Sequence, residues 1–125
     1  MKYNPFKLIC LVMLMFSLAA CEYEWIEAEP IPPLPPEEVS FQNEIMPYFD
    51  ASCNMAGCHA TGGFSPDLSA ANAYNVLTTK GWIDTTTPAN SKIYKAVTSG
   101  SMKTFSTATN SAILLKWIKE GAKNN

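Results

Sequence analysis

Cys53-Asn54-Met55-Ala56-Gly57-Cys58-His59 sets two thiols at the ends of a short turn and an imidazole directly behind the second. Before it, Phe41, Ile45, Tyr48 and Phe49 recur at helical spacing after Ser40, a residue suited to accept from a helix's first free amides. The pattern predicts a helix over residues 39–49, kinked at Pro47. After it, a loop of small residues runs from Ala51 to Pro66, and Ser69 opens a shorter helix through Ala73, Tyr74 and Leu77. A third helix begins near Asn90 or Ser91, carries Ile93, Tyr94 and Val97, and stops at Gly100, leaving residues 101–109 as loop. The last helix is the clearest, because Ile113 pairs with Trp117 and Leu114 with Ile118 four residues apart, and Gly121 follows where a helix end favours glycine. No stretch alternates like a half-buried strand, so the expectation is an all-α domain of four or so short helices.

Farther out, the first twenty residues hold Lys2 and Lys7, no acid, the apolar run Leu8 to Phe16, and then Ala19 and Ala20. That is the pattern of a signal peptide, and its apolar run is too short for a permanent membrane span. Leu18-Ala19-Ala20-Cys21 resembles a bacterial lipobox, which implies that Cys21 becomes the lipidated first residue of the mature chain. Two or more acyl chains hold a protein firmly to a bilayer surface. Residues 22–37 carry five glutamates and five prolines with no basic residue, so residues 21–37 read as a semi-rigid acidic spacer. The domain then runs over residues 38–125. Its seven lysines against six acids make it nearly neutral, which argues against nucleic acid as a partner.

Of the four cysteines, Cys10 lies in the signal segment and Cys21 is taken by lipid, leaving Cys53 and Cys58 outside the cytosol. Two thiols there form a disulfide by default. Thiols this close, followed by a histidine, also suit two thioether bonds to a porphyrin with the imidazole as axial ligand, although the usual motif has two intervening residues and this one has four. Zinc needs four ligands, and the chain's single histidine, His59, supplies a third beside the two cysteines, with only a carboxylate available as the fourth. A catalytic Cys–His pair needs a separately positioned base, which the adjacent Cys58 and His59 do not offer.

From Phe41 to Ala122 the chain resembles small bacterial c-type cytochrome domains of exported lipoproteins: Phe41 to Tyr48 before a Cys-x4-Cys-His variant looks like their opening, and Trp117-Ile118-Lys119-Glu120-Gly121-Ala122 like their closing helix. The resemblance implies a cytochrome c-like fold around one haem c, with thioethers from Cys53 and Cys58 and His59 as proximal iron ligand. Pro66-Asp67-Leu68 is similar to the segment whose proline carbonyl receives the proximal histidine's other N–H. Met102 stands in the loop of the family's distal ligand, followed by Lys103 where the family carries proline. The implied function is a one-electron carrier, not an enzyme, tethered in a bacterial cell envelope and serving redox partner proteins. Cys53, Cys58, His59 and Met102 should then border one apolar cleft lined by Ile93, Tyr94, Val97 and Trp117. Two rivals stay open: a haem-free lipoprotein that binds another protein and carries a Cys53–Cys58 disulfide, and a haem sensor or weak peroxidase should Met102 not be a ligand.

Overall fold

The computed structural model describes residues 4–6 and 30–125. The signal peptide, Cys21 and residues 21–29 of the spacer lie outside the described residues, apart from the short piece 4–6. Residues 1–30 and 31–125 are separate compact units. In the first, residues 5 and 6 are helical. The second carries α1 (Met46–Ser52), α2 (Ala73–Thr79), α3 (Lys92–Thr98) and α4 (Ala108–Lys119), and no strand occurs among the described residues. Nor, among them, is any helix long and apolar enough to cross a membrane.

The first helical segment is built in two parts. Phe41–Ile45 form a π turn that feeds directly into α1. Ser40 caps it reciprocally: its hydroxyl accepts from Asn43 N at 3.2 Å while its own N–H donates to the Glu44 carboxylate at 2.7 Å. The glutamate of such a cap ordinarily stands three residues on. Here it stands four on, because the π turn holds one residue more. Pro47 explains the extra residue: it has no N–H to give to the carbonyl of Asn43, and in an unbroken α-helix its ring would collide with that group. The expected kink at Pro47 is thus absorbed one turn earlier as a π turn, with Met46 N–H donating to Phe41 O.

Helix α2 starts at Ala73, four residues after Ser69. Asp67 accepts from Ser69 N (2.9 Å) and from the Asn72 side chain (2.8 Å), which ties residues 69–72 into a separate turn. Ser91 precedes α3 but does not cap it with its side chain; the buried hydroxyl instead accepts from Asp84 N at 2.9 Å and fixes the preceding loop. The expected loop 101–109 contains a 3₁₀ turn, Lys103–Phe105, and its last two residues belong to α4, whose N-cap Thr107 accepts from Asn110 N.

Helix α4 organises the core. Leu114, Trp117 and Ile118 are fully buried, and each large apolar side chain removed from water contributes about 1.5–3 kcal/mol. The Trp117 ring lies 5.2 Å from that of Phe41, which meets Tyr74 edge-on at 5.3 Å. Helix α4 ends in a paired cap in which Gly121 N–H donates to Ile118 O and Ala122 N–H to Trp117 O. This geometry requires a positive φ at Gly121, which is +96°. Beyond it the chain returns to its own beginning: the Asn125 side chain accepts from Phe41 N at 2.9 Å, and its backbone carbonyl from Gln42 N and the Ser40 hydroxyl. The first helical segment and the last are therefore clasped together.

Candidate functional site

Residues 53–68 fold into a loop closed by its own hydrogen bonds. His59 N donates to Cys53 O (3.1 Å), Phe64 N to Cys58 O (2.7 Å), and Leu68 N to His59 O (2.8 Å). Gly63 makes this closure fit, since a β-carbon there would lie 2.2 Å from Cys58 O. The inner face of the loop borders a cavity of about 530 Å³, within the usual range for a pocket that encloses a small-molecule ligand.

Cys53, Cys58, His59, Pro66 and Met102 all line this one cavity. Both thiols are free and half-buried. His59 Nδ1 lies 2.9 Å from Pro66 O and 3.1 Å from Phe64 O. Both partners are carbonyls and can only accept, so Nδ1 carries a proton and, in the neutral ring, the lone pair is on Nε2. Met102 arrives from another part of the chain, just after α3, where its N–H donates to Ala96 O at 3.0 Å. Met55, between the two cysteines, is 45% exposed and does not line the cavity.

The walls are apolar. Ile93 and Val97 of α3 contribute as expected, but Trp117 and Tyr94 do not. Trp117 is fully buried in the core, its indole N–H donating to Lys123 O at 2.9 Å, and Tyr94 packs against that core. Trp82 takes the place expected of Trp117, with Phe49, Leu68, Phe64 and Phe105 completing the surface. Periodicity places Phe49 on the first helix but passes over Trp82, Leu68, Phe64 and Phe105, which lie outside the α-helices. The available signal was an aromatic group in an otherwise polar loop, as at Trp82, which has to be buried against something. Phe64 and Phe105 are 72% and 49% exposed and form part of the rim.

Burial pushes the Cys53 thiol above its ordinary value, opposed by the neighbouring Tyr48 hydroxyl and reinforced by Cys58. Burial pushes Tyr48 itself up to about 12. Its oxygen is sealed from solvent and has no hydrogen-bond partner among the described residues. Among the described residues, no three His, Cys, Asp or Glu side chains converge into a group able to hold a metal ion. The cavity can instead engage a large apolar group through two sulfur nucleophiles, one imidazole lone pair and one thioether. No protein-family model, curated protein or solved structure matches this chain.

Proposed function

We propose that the domain is a one-electron carrier of cytochrome c-like fold that holds one haem c, through thioether bonds from Cys53 and Cys58 and axial bonds from His59 and Met102. One observation carries the reading: all four side chains line the same apolar cavity. The donor set fits the group, because the thiols are free to be alkylated and the hydrogen bond at Nδ1 of His59 makes Nε2 the nitrogen that would bind iron from the neutral ring. When bound, the haem supplies reversible one-electron exchange at its iron.

The chain's own residues would do the rest. The Pro66 carbonyl fixes the His59 ring and makes Nε2 a better donor, as outer partners of metal-bound histidines do. Ile93, Val97, Leu68 and Trp82 keep water off the faces of the group, and a dry site with histidine and methionine donors favours a raised potential. With His59 and Met102 both holding the iron, no vacancy would be left for oxygen or peroxide, so in this reading the domain would transfer electrons and not act as an enzyme. The lipidated Cys21, the tether to a bacterial envelope membrane and the service to redox partner proteins there rest on the sequence.

The test is expression of the full chain in cells with haem-attachment machinery. Colour that stays with the polypeptide after denaturation and acid extraction is expected, with one thioether lost in Cys53→Ala and in Cys58→Ala, and no stable holoprotein in His59→Ala. Colourless protein with a Cys53–Cys58 disulfide would overturn the reading. Met102→Ala should keep the attached haem but admit added ligands. If the wild type already binds them as readily, the sensor or peroxidase reading takes its place.

A further inference from the structure

We propose that Ser91 is a positioning residue of this site: its hydroxyl latches the backbone of Asp84 and so holds Trp82 against α3 as a fixed wall of the cavity. The latch is a property of the polypeptide, whereas its service to a bound group rests on the function proposed above.

Ser91 stands directly before α3, where a serine ordinarily gives its hydroxyl to the first free amides of the helix, a cap worth about 1 kcal/mol. Here that cap is not made. The side chain turns to Asp84 instead, accepting from its N–H at 2.9 Å and donating to its carbonyl at 3.3 Å. One hydroxyl thus serves both main-chain groups of a residue seven positions away. Ser91 is 1% exposed, so neither bond has a substitute in solvent, and losing the hydroxyl leaves its partners short.

Two residues farther out on each side lies a second rung, in which Ile93 N–H donates to Trp82 O at 3.2 Å. The rungs join 84 to 91 and 82 to 93, the register of an antiparallel hairpin in which a serine oxygen stands in for one strand's backbone. Inside the loop they close, the Asp84 carboxylate accepts from Thr86 N and Thr87 N, each at 2.9 Å, and Asn90 N–H donates to Thr87 O at 2.7 Å. Residues 85–90 contribute no large apolar side chain that could pin the loop by packing.

The outer rung joins two residues that line the cavity, since Trp82 borders it from the loop and Ile93 from α3, beside Ala96 and Val97. Without the Ser91 hydroxyl, Trp82 O would be held to α3 by one bond at the mouth of an open loop. With it, the indole-bearing strand and the helix form a single wall. On the proposed function, that wall keeps water from a face of the haem, which is one of the protein's means of raising the potential.

Ser91→Ala removes one oxygen and little volume. In the full chain without haem, labelled with fluorotryptophan, the Trp82 resonance should move and its shift between H2O and D2O should grow, while that of Trp117, buried in the core with its indole N–H on Lys123 O, stays in place. The Asp84 amide should exchange at least about fivefold faster, the factor that one ordinary net hydrogen bond makes in an opening equilibrium. Thr87→Val, which takes a hydroxyl from the Asp84 carboxylate but leaves both rungs, should not move the Trp82 resonance. In protein matured with haem, Ser91→Ala should lower the reduction potential without changing covalent attachment. An unmoved Trp82 resonance in Ser91→Ala, or equal movement of Trp82 and Trp117, overturns the latch. So does an Asp84 amide that is unprotected in the wild type, a result that needs no variant. An unchanged potential overturns the latch's service to the bound group. Failure of the wild type to take up haem counts against the proposed function alone, since the fluorine and exchange arms still decide on Ser91.

Discussion

Replacing Gly63 by alanine puts a methyl group where the Cys58 carbonyl oxygen already stands, 2.2 Å from the new carbon and with Ala60 O at 3.0 Å. Ordinary contact begins at 3.4 Å, so the chain has to part by about 1 Å at the point where Phe64 N–H meets Cys58 O. That bond and the neighbouring one from Gly63 N–H to Ala60 O (2.8 Å) would both be lost or lengthened. At about 1 kcal/mol net each, with forced geometry added and about 0.5–1 kcal/mol regained from a stiffer unfolded chain, the cost comes to about 2 kcal/mol. A domain of this size should then melt roughly 8–16 °C lower. Gly62→Ala is the matched control. Its φ of +80° strains an alanine by about 1–2 kcal/mol, but the new methyl meets nothing within 4 Å, so after the same entropic gain it should cost under about 1 kcal/mol. Urea unfolding of the two variants beside wild type measures the difference, and on the proposed function haem attachment in cells should fall with Gly63→Ala only. Equal costs for the two glycines, or a neutral Gly63→Ala, would refute the steric account of the loop.

Glu120 accepts from Lys116 and from Val39 N at 2.9 Å, and these bonds hold its carboxyl below the ordinary 4.5. A lowered carboxylate stabilises the fold above its ordinary value and loses that contribution as pH falls through the folded one. Chemical denaturation across pH 6 to 3 should therefore show a shallower acid loss in Glu120→Gln than in wild type. Tyr48 moves the opposite way: the folded state keeps its proton up to about 12 against an ordinary 10.0, so stability drains as pH rises between those values. Tyr48→Phe should remove that part of the alkaline slope, a linkage of roughly 3 kcal/mol at most. Asn125→Ala deletes the acceptor that caps Phe41 N and should cost about 1 kcal/mol in equilibrium unfolding, with exchange fastest at residues 41–43.

What could be read from the sequence depended on the range of the interaction that each residue serves. Ser40 and Gly121 act on backbone groups a few residues away, and the pairs Ile113–Trp117 and Leu114–Ile118 sit on adjacent turns, so the all-α character and the end of the last helix followed from spacing, whereas its start, capped by Thr107, fell inside the expected loop. The proximity of Cys53, Cys58 and His59 is likewise local. The π turn escaped because Pro47 signals only that an α-helix cannot continue unchanged, without saying which turn will absorb the misfit. Helix α2 started late because Asp67 competes for the amide of Ser69, a contest that a periodicity reading does not weigh. Trp82 and Trp117 differ most instructively: both are large and apolar, yet only tertiary packing decides that one lines the cavity and the other fills the core. Tyr48 reads as one more apolar position on the first helix, and that its hydroxyl is sealed without a partner is decided by tertiary packing alone.

The loop over residues 53–68 is shaped by bonds between residues no more than nine apart, the longest being Leu68 N–H to His59 O. The clasp between Phe41 and Asn125 spans 84 residues. Segments of about ten residues close in 10–100 ns, whereas the loop-closure entropy of a long chain has to be overcome before its ends are held. During folding, the thiols and the imidazole can therefore be gathered into their turn while α3 is still undocked and the cavity lacks the wall that helix supplies. On the proposed function, a modifying partner that works on such an open chain would meet the two cysteines already in register, and the later docking of α3 with the Met102 turn would enclose what had been attached.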